Sequence, residues 1–177
     1  SCWTTILDLI DPRGVGAPVA GMSVVVIGYG DVGRGCARFG AALGARVTVV
    51  EMDPVRALQA SMDGFGVASL QEAAASAGML TGERSTIPLS TLEAAPRGAI
   101  VTVAGGVDGE VSIDEAMAAS WVMAESGDPH VQTLTSPSGK MLRVLERGEG
   151  INYTAGEGNP IEIMDISFGV QLASLPE

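Results

Sequence analysis

The sequence predicts a doubly wound α/β fold, a parallel sheet with helices on both faces, and three observations carry that reading. Strand and helix signals alternate from residue 22 onward. The run "MSVVVIG" (22 to 28) is continuously apolar, as a strand covered on both faces must be. "GYGDVG" follows it directly and opens a helical stretch, so a glycine-rich turn joins strand to helix.

The elements follow in order. "SCWTTILDLI" reads as a short helix, and the breaker-rich "DPRGVGAPVAG" as a linker. After the first strand, residues 31 to 43 read as a helix and "ARVTVVE" (45 to 51) as the second strand. Asp53 with Pro54 is an N-cap followed by proline at the first helical position, so a helix is expected over 54 to 62, ending at Gly64. A short strand near 66 to 68 precedes a capping box, Ser69 with Glu72. "GMLTG" is a weak strand, 88 to 94 a short helix, and "GAIVTVAG" (98 to 105) a clear strand. Ser112 with Glu115 repeats the capping-box pattern before another helix. "HVQTLTSPSGKMLRVL" reads as a hairpin turning at Ser136 to Gly139. Ile161, Met164, Phe168, Leu172 and Leu175 recur at helical spacing in a final helix. The expected organisation is an N-terminal helix and linker (1–21), a nucleotide-binding unit (22–150), and a C-terminal loop and helix (151–177).

Composition narrows the function classes. At 177 residues and 46% apolar content one domain with a sizeable core is expected. A net charge of −11 works against nucleic acid and anionic membrane as partners. No apolar run approaches a membrane span, and the start lacks a secretory pattern, so a cytoplasmic setting is expected. Cys2 and Cys36 make no metal or disulfide spacing. The eight methionines read as core filler. The chain opens on Ser1 rather than Met, as a processed product or a fragment would.

Gly28-Tyr29-Gly30-Asp31-Val32-Gly33 fits G-x-G-x-x-G in the context that gives the pattern meaning. Gly28 would make the tight turn, Gly30 would admit a pyrophosphate, and Gly33 would let helix pack on strand, as in a Rossmann-type domain. The pyrophosphate would rest on the free N–H groups of the helix N-terminus. Glu51, 18 residues beyond Gly33, ends the second strand where an acid meets the adenosine ribose, which favours NAD over NADP. Arg46 sits at that strand's start, far from the tip.

These residues resemble a known family. "GYGDVGRGCARFGAALGARVTVVEMDPVRALQASMDGFGV" is similar to the NAD-binding domain of S-adenosylhomocysteine hydrolases, matching its Y-G-D-V-G-K-G-C-A, E-x-D-P-x-x-A-L-Q-A and M-x-G-x-x-V stretches. The similarity runs on through "AGMLTG", "GAIVTVAGGVDGEVSID" and "GINYTAGEGNPIEIMDISF". The resemblance implies that Gly28, Gly30, Asp31, Val32 and Gly33 hold the pyrophosphate of NAD and Glu51 the ribose. It also implies Thr81 and Gly82 beside the cofactor and Asn152 at the nicotinamide carboxamide. It further implies a separate substrate domain or partner chain, and a homo-oligomer is expected.

The departures bear on chemistry. Gly106 and Asn159 stand where the family carries histidines, and the resemblance puts the family's catalytic lysine and aspartate just before the point where this chain starts. The family's redox-assisted reaction needs positioned acids and bases, and the chain holds one lysine, Lys140, in a hairpin turn, and one histidine, His130. His130 reads as a surface residue, Cys36 as a small buried one, and Asp108, Glu110, Asp114 and Glu115 as a solvated helix start. No catalytic residue is assigned and no metal is expected. Three functions remain open: the NAD-binding domain of an enzyme working on a nucleoside or thioether, a stand-alone NAD-dependent oxidoreductase, and a non-catalytic cofactor-binding module.

Overall fold

The computed structural model describes residues 2–14, 16, 18–82, 87–104, 109–151 and 161–173. Eight strands form one sheet: β1 (Ser23–Ile27), β2 (Arg46–Val50), β3 (Gly66–Val67), β4 (Met79–Gly82), β5 (Ile100–Val103), β6 (Val122–Glu125), β7 (Val131–Thr135) and β8 (Met141–Leu145). Their order is β3-β2-β1-β4-β5-β8-β7-β6. From β3 to β8 every neighbouring pair is parallel, while β7 runs antiparallel to both β8 and β6. The chain starts in the middle at β1, winds outward to β3, then crosses back to β4. This reversal creates the crevice where doubly wound sheets bind ligands.

Helices α1 (Cys2–Ile10), α2 (Asp31–Ala42), α3 (Pro54–Met62), α4 (Leu70–Ala74), α5 (Leu89–Ala94), α6 (Ile113–Ala118) and α7 (Ile161–Ala173) accompany the sheet. The sheet buries both faces. Val25, Ile27, Leu80 and Val101 pack into one core with Leu92 and Ala116, and Val24, Val26, Met79 and Ile100 into another with Trp3, Ile6 and Ala37. That two-sided burial is why β1 reads as an unbroken apolar run. On the second face Trp3 stacks on Phe39 with ring centroids 6.5 Å apart and donates from Nε1 to the Cys36 carbonyl at 3.0 Å. Gly40 makes room for this, since a Cβ there would lie 2.8 Å from the indole. Helix α1 is therefore part of the core.

Local chemistry sets most boundaries as expected. Asp53 accepts from the N–H groups of Val55 and Arg56, with Pro54 at the first position of α3. Ser69 and Glu72 form the reciprocal capping box of α4. Elsewhere the structure differs. Ser112 precedes α6 but makes no side-chain cap bond, so the second capping box does not form. The hairpin is no appendage: β8 enters the sheet beside β5 as its sixth parallel strand. Strand β6 was not anticipated, because it is short, exposed and lacks clear alternation. Of the methionines, Met79 is buried, whereas Met52, Met62, Met117 and Met141 are exposed. Glu110, expected in a solvated run, is buried, while Asp114 and Glu115 are exposed and Asp108 lies outside the described residues. Leu175 also lies outside them.

Candidate cofactor site

The glycine motif closes the carboxyl edge of β1. Gly28 has φ +94°, a conformation that favours glycine, and its N–H donates to the Val50 carbonyl at 2.8 Å. Gly33 faces back onto that turn. A Cβ on Gly33 would overlap the Gly28 carbonyl oxygen and lie 2.9 Å from its carbon, so helix and strand approach only because both positions are glycine. Gly30 caps α2 in an ordinary extended conformation (φ −74°, ψ −165°) and provides no side-chain cap. The first helical bond runs from Arg34 N–H to the Gly30 carbonyl, so the N–H groups of Asp31, Val32 and Gly33 precede the helical ladder. Asp31 and Val32 are exposed at this end and Gly33 is buried.

Glu51 stands just past β2, beside the turn. Its Oε2 accepts from Tyr29 N–H at 2.7 Å, and its Oε1 from Met52 and Asp53 N–H at 2.7 and 2.9 Å. Burial works to raise its pKa, but the three N–H donors and the nearby Arg56 outweigh it and hold the carboxyl below its ordinary value. A carboxylate offers about four acceptor sites, so Glu51 retains one on Oε2 while fixing the turn. Arg46 is exposed at the opposite end of β2.

Tyr29, between the first two glycines, was not singled out from sequence. Its ring is fully buried, and its hydroxyl donates to Asp63 Oδ2 at 2.6 Å. Arg38 donates to the same oxygen at 3.1 Å, and the Arg34 guanidinium lies 5.8 Å over the ring. Burial, then the Asp63 bond and charge, push the Tyr29 hydroxyl up to about 12. The phenol thus ties the glycine turn to the end of α3. A large residue between two glycines was the available signal.

Thr81 lies beside Val26 on β1 and Thr102 on β5, and Gly82 beside Val103. Thr81 and Gly33 line one narrow crevice, with Cys36 also on its wall and too little room for water. The Oγ1 atoms of Thr81 and Thr102 are buried with no partner among the described residues. Unpaired buried hydroxyls of this kind are costly, and that of Thr81 belongs to a residue lining the crevice beside Gly33. Cys36 is buried, as expected. Asn152, Gly106 and Asn159 lie outside the described residues.

The two candidate proton carriers have other surroundings than their sequence context suggested. Lys140 Nζ donates to the carbonyls of Leu92, Glu93 and Ala95 at 2.9, 2.5 and 3.0 Å, closing the C-terminus of α5. It also sits 5.6 Å over the Trp121 ring. Its ammonium is committed to structure. His130 Nδ1 bonds to Glu146 Oε1, so it is a paired histidine.

A glycine turn without room for a Cβ, an uncapped helix start and an anchored acid at the tip of β2 are the features that a dinucleotide-binding turn requires. The family pattern described as "S-adenosyl-L-homocysteine hydrolase, NAD binding domain" matches residues 1–158. The chain belongs to this family as its NAD-binding domain. Its cofactor is NAD. The chain is 41% identical over 156 residues to an adenosylhomocysteinase of Thermococcus kodakarensis, covering 86% of this chain and 37% of that protein. It is 39% identical over 160 residues to an S-inosyl-L-homocysteine hydrolase of Methanopyrus kandleri, covering 89% and 38%. With an adenosylhomocysteinase of Thermotoga maritima it shares 37% over 175 residues, covering 97% and 42%. The chain therefore spans about two fifths of the length of these relatives. Among solved structures, the dipicolinate synthase A chain of Bacillus subtilis superposes with a TM-score of 0.57 at 20% identity, over 66% of this chain and 40% of that one. A phosphoglycerate oxidoreductase of Vibrio cholerae gives 0.54 at 18%, over 66% and 46%. These likenesses show the fold. No helix among the described residues is long and apolar enough to cross a membrane.

Proposed function

We propose that this NAD-binding domain serves an enzyme performing redox-assisted cleavage of a nucleoside thioether of homocysteine in the cytoplasm. The observation that carries the reading is the contact between Gly33 and Gly28, which leaves no space for a side chain and presents the start of α2 to a pyrophosphate. In this reading Gly28, Gly30, Asp31, Val32 and Gly33 bind the pyrophosphate, and the free acceptor site of Glu51 takes a ribose hydroxyl. Thr81 and Gly82 line the nicotinamide side together with Asn152. The unpartnered Thr81 hydroxyl supports that placement, because a bound polar group would satisfy it. NAD supplies a two-electron acceptor that makes a neighbouring C–H acidic. Residues 22–150 carry the cofactor unit, with α1 packed into its core and 151–177 following it.

The substrate-binding groups, and any acid–base groups this chain does not hold, come from another domain or a partner chain in a homo-oligomer. The relatives named above differ in the purine their names specify, so the base is left open and the homocysteine thioether is the shared element. Two measurements test the reading. Calorimetry should show NAD binding more tightly than NADP, and equal or reversed affinities contradict the ribose assignment. The 177-residue chain alone should release no homocysteine from S-adenosylhomocysteine in a thiol assay. Clear turnover would mean that the chain closes and completes its own site, and would move the reading to a stand-alone enzyme.

A further inference from the structure

The amino edge of the sheet, opposite the cofactor crevice, carries a groove of about 440 Å³ that no part of the proposed function uses. Its floor is the row of strand starts, with Ser23 at β1, Gly78 before β4 and Ile100 at β5. Three arginines line it. Arg46 opens β2, Arg97 stands in the turn before β5, and Arg143 lies in β8 with its backbone N–H on the Ala99 carbonyl at 2.9 Å. Ser23 and Ser76 add hydroxyls to the wall, and among the described residues no carboxylate lines the groove.

The charge there runs against the rest of the chain. The sequence carries 21 acids against 10 lysines and arginines, yet Arg46, Arg97 and Arg143 meet in one groove. Among the described residues none of the three pairs with a carboxylate, the ion pairs present being those of Arg38, His130 and Arg147. Arg97 uses one donor on the Gly139 carbonyl at 2.6 Å, and a guanidinium has five. Capping of α5 does not occupy them either, because Lys140 takes the carbonyls at its end. Like charges held together repel one another, and an oxyanion that bridges them replaces repulsion with attraction.

We infer that this groove binds a small molecule bearing two or more linked phosphates, at a site separate from the cofactor. Its volume lies in the range of small-molecule pockets. Every charged group on its wall is a guanidinium, and the planar forks match phosphate oxygens two at a time. The two serine hydroxyls donate as well. In the sheet β2 and β8 stand four positions apart, so Arg46 and Arg143 leave the backbone about 19 Å from each other. Linked phosphates offer oxygens toward both ends of such a groove, and a single phosphate engages fewer of the arginines. The net charge of −11 disfavours a long polyanion, which would run past the groove onto an acidic chain. A compact ligand is selected.

Calorimetry with inorganic tripolyphosphate on the 177-residue chain, with NAD present, tests the inference. One site per chain is expected, with orthophosphate about tenfold weaker. Arg46→Gln and Arg143→Gln should each weaken tripolyphosphate about tenfold, as the loss of a charge-assisted contact predicts. Arg13→Gln makes the same change of charge at an exposed position outside the groove and should leave the affinity unchanged. All three side chains are exposed, so the free variants should melt with the wild type. ATP binding more tightly than tripolyphosphate, with the same arginine dependence, points to a nucleotide, and ATP binding no more tightly points to the free polyphosphate. An equal loss in Arg13→Gln reduces the effect to bulk charge and overturns the inference. Absence of binding overturns it, and so does tighter binding of citrate. Competition between tripolyphosphate and NAD would place the anion at the carboxyl edge and overturn it too. The inference does not rest on the NAD reading: if NAD fails to bind, the arginine dependence still decides it.

Discussion

At the β1–β2 end of the carboxyl edge the chain presents bare backbone. Gly28 supplies the turn, Gly33 the close approach, and Glu51 and Tyr29 fasten them from behind through N–H and O–H bonds. At the β7–β8 end the same edge is finished with side chains. There Glu146 and Arg147 take conformations that glycine would take more easily, and Gln132 and His130 hold them in place. On the proposed reading the first end takes a ligand of fixed geometry, lying against N–H groups. The second presents a ring whose orientation is set by a carboxylate.

The sharpest way to break this comparison is to add one methyl at the glycine motif and one at a turn on the opposite edge of the sheet. Gly33→Ala places a Cβ against the Gly28 carbonyl, and overpacking there should cost about 3 kcal/mol and abolish NAD binding. Gly139, at the hairpin turn, also has positive φ (+81°) but nothing within 4 Å of a Cβ. Gly139→Ala should cost only about 1 kcal/mol, the conformational penalty alone. Urea unfolding and calorimetry on both variants check the contrast. Similar losses would mean that the close approach at Gly33 is not what the motif depends on.

Lys140→Met comes next. It removes a cation from three carbonyls at the end of α5, and charge-assisted hydrogen bonds of this kind suggest a loss of about 2 kcal/mol. NAD affinity should hardly change, because the lysine belongs to the hairpin turn. A large drop in affinity at unchanged stability would return Lys140 to the list of functional residues.

Tyr29→Phe should cost about 1 kcal/mol at neutral pH, since Arg38 still satisfies Asp63. Its pH dependence is more specific. The folded hydroxyl is raised from 10 to about 12, so the native state holds this proton more tightly than the unfolded state. Its stabilisation is complete below pH 10 and is lost as pH climbs through about 12. Urea midpoints over that range should fall more steeply for the wild type than for Tyr29→Phe. Parallel curves would remove Tyr29 from the clamp.

How much of this was legible follows from how far apart the partners are in sequence. The β1–α2–β2 unit is local: G-x-G-x-x-G, an apolar run before it and an acid after it lie within one stretch, and each residue's task can be read from its neighbours. Asp53 with Pro54 and Ser69 with Glu72 are shorter still and form as read. Ser112 with Glu115 has the same letters and no cap bond, because the pattern permits a box without enforcing the side-chain rotamers. The His130–Glu146 pair depends on the β7–β8 register, and the Lys140 cap on hairpin and α5 meeting 47 residues apart. Nothing local marks either. Strand β6 escaped because an exposed edge strand needs no apolar face of its own. Methionine was misread for a related reason: composition reports that flexible apolar side chains exist, and only the fold reports that Met52 is 96% exposed beside Glu51.

The smallest effect concerns cofactor choice and needs a ratio to be seen. On the proposed reading Glu51 repels a 2′-phosphate, but it also accepts from Tyr29, Met52 and Asp53, so Glu51→Ala should weaken both cofactors as the turn loosens. The charge effect is isolated by comparing NAD with NADP in the same variant. There the preference for NAD should fall about tenfold, or roughly 1.4 kcal/mol. Acidification offers a second reading of the same group. Its folded carboxyl titrates below the ordinary value, so its stabilisation is present above that value and is lost as pH falls through the folded one. Glu51→Ala should therefore flatten the acid limb of the stability curve while Gly139→Ala leaves it unchanged. If the NAD-to-NADP ratio stays fixed while the acid limb flattens, Glu51 shapes the turn without reading the ribose, and the specificity must come from elsewhere on the edge.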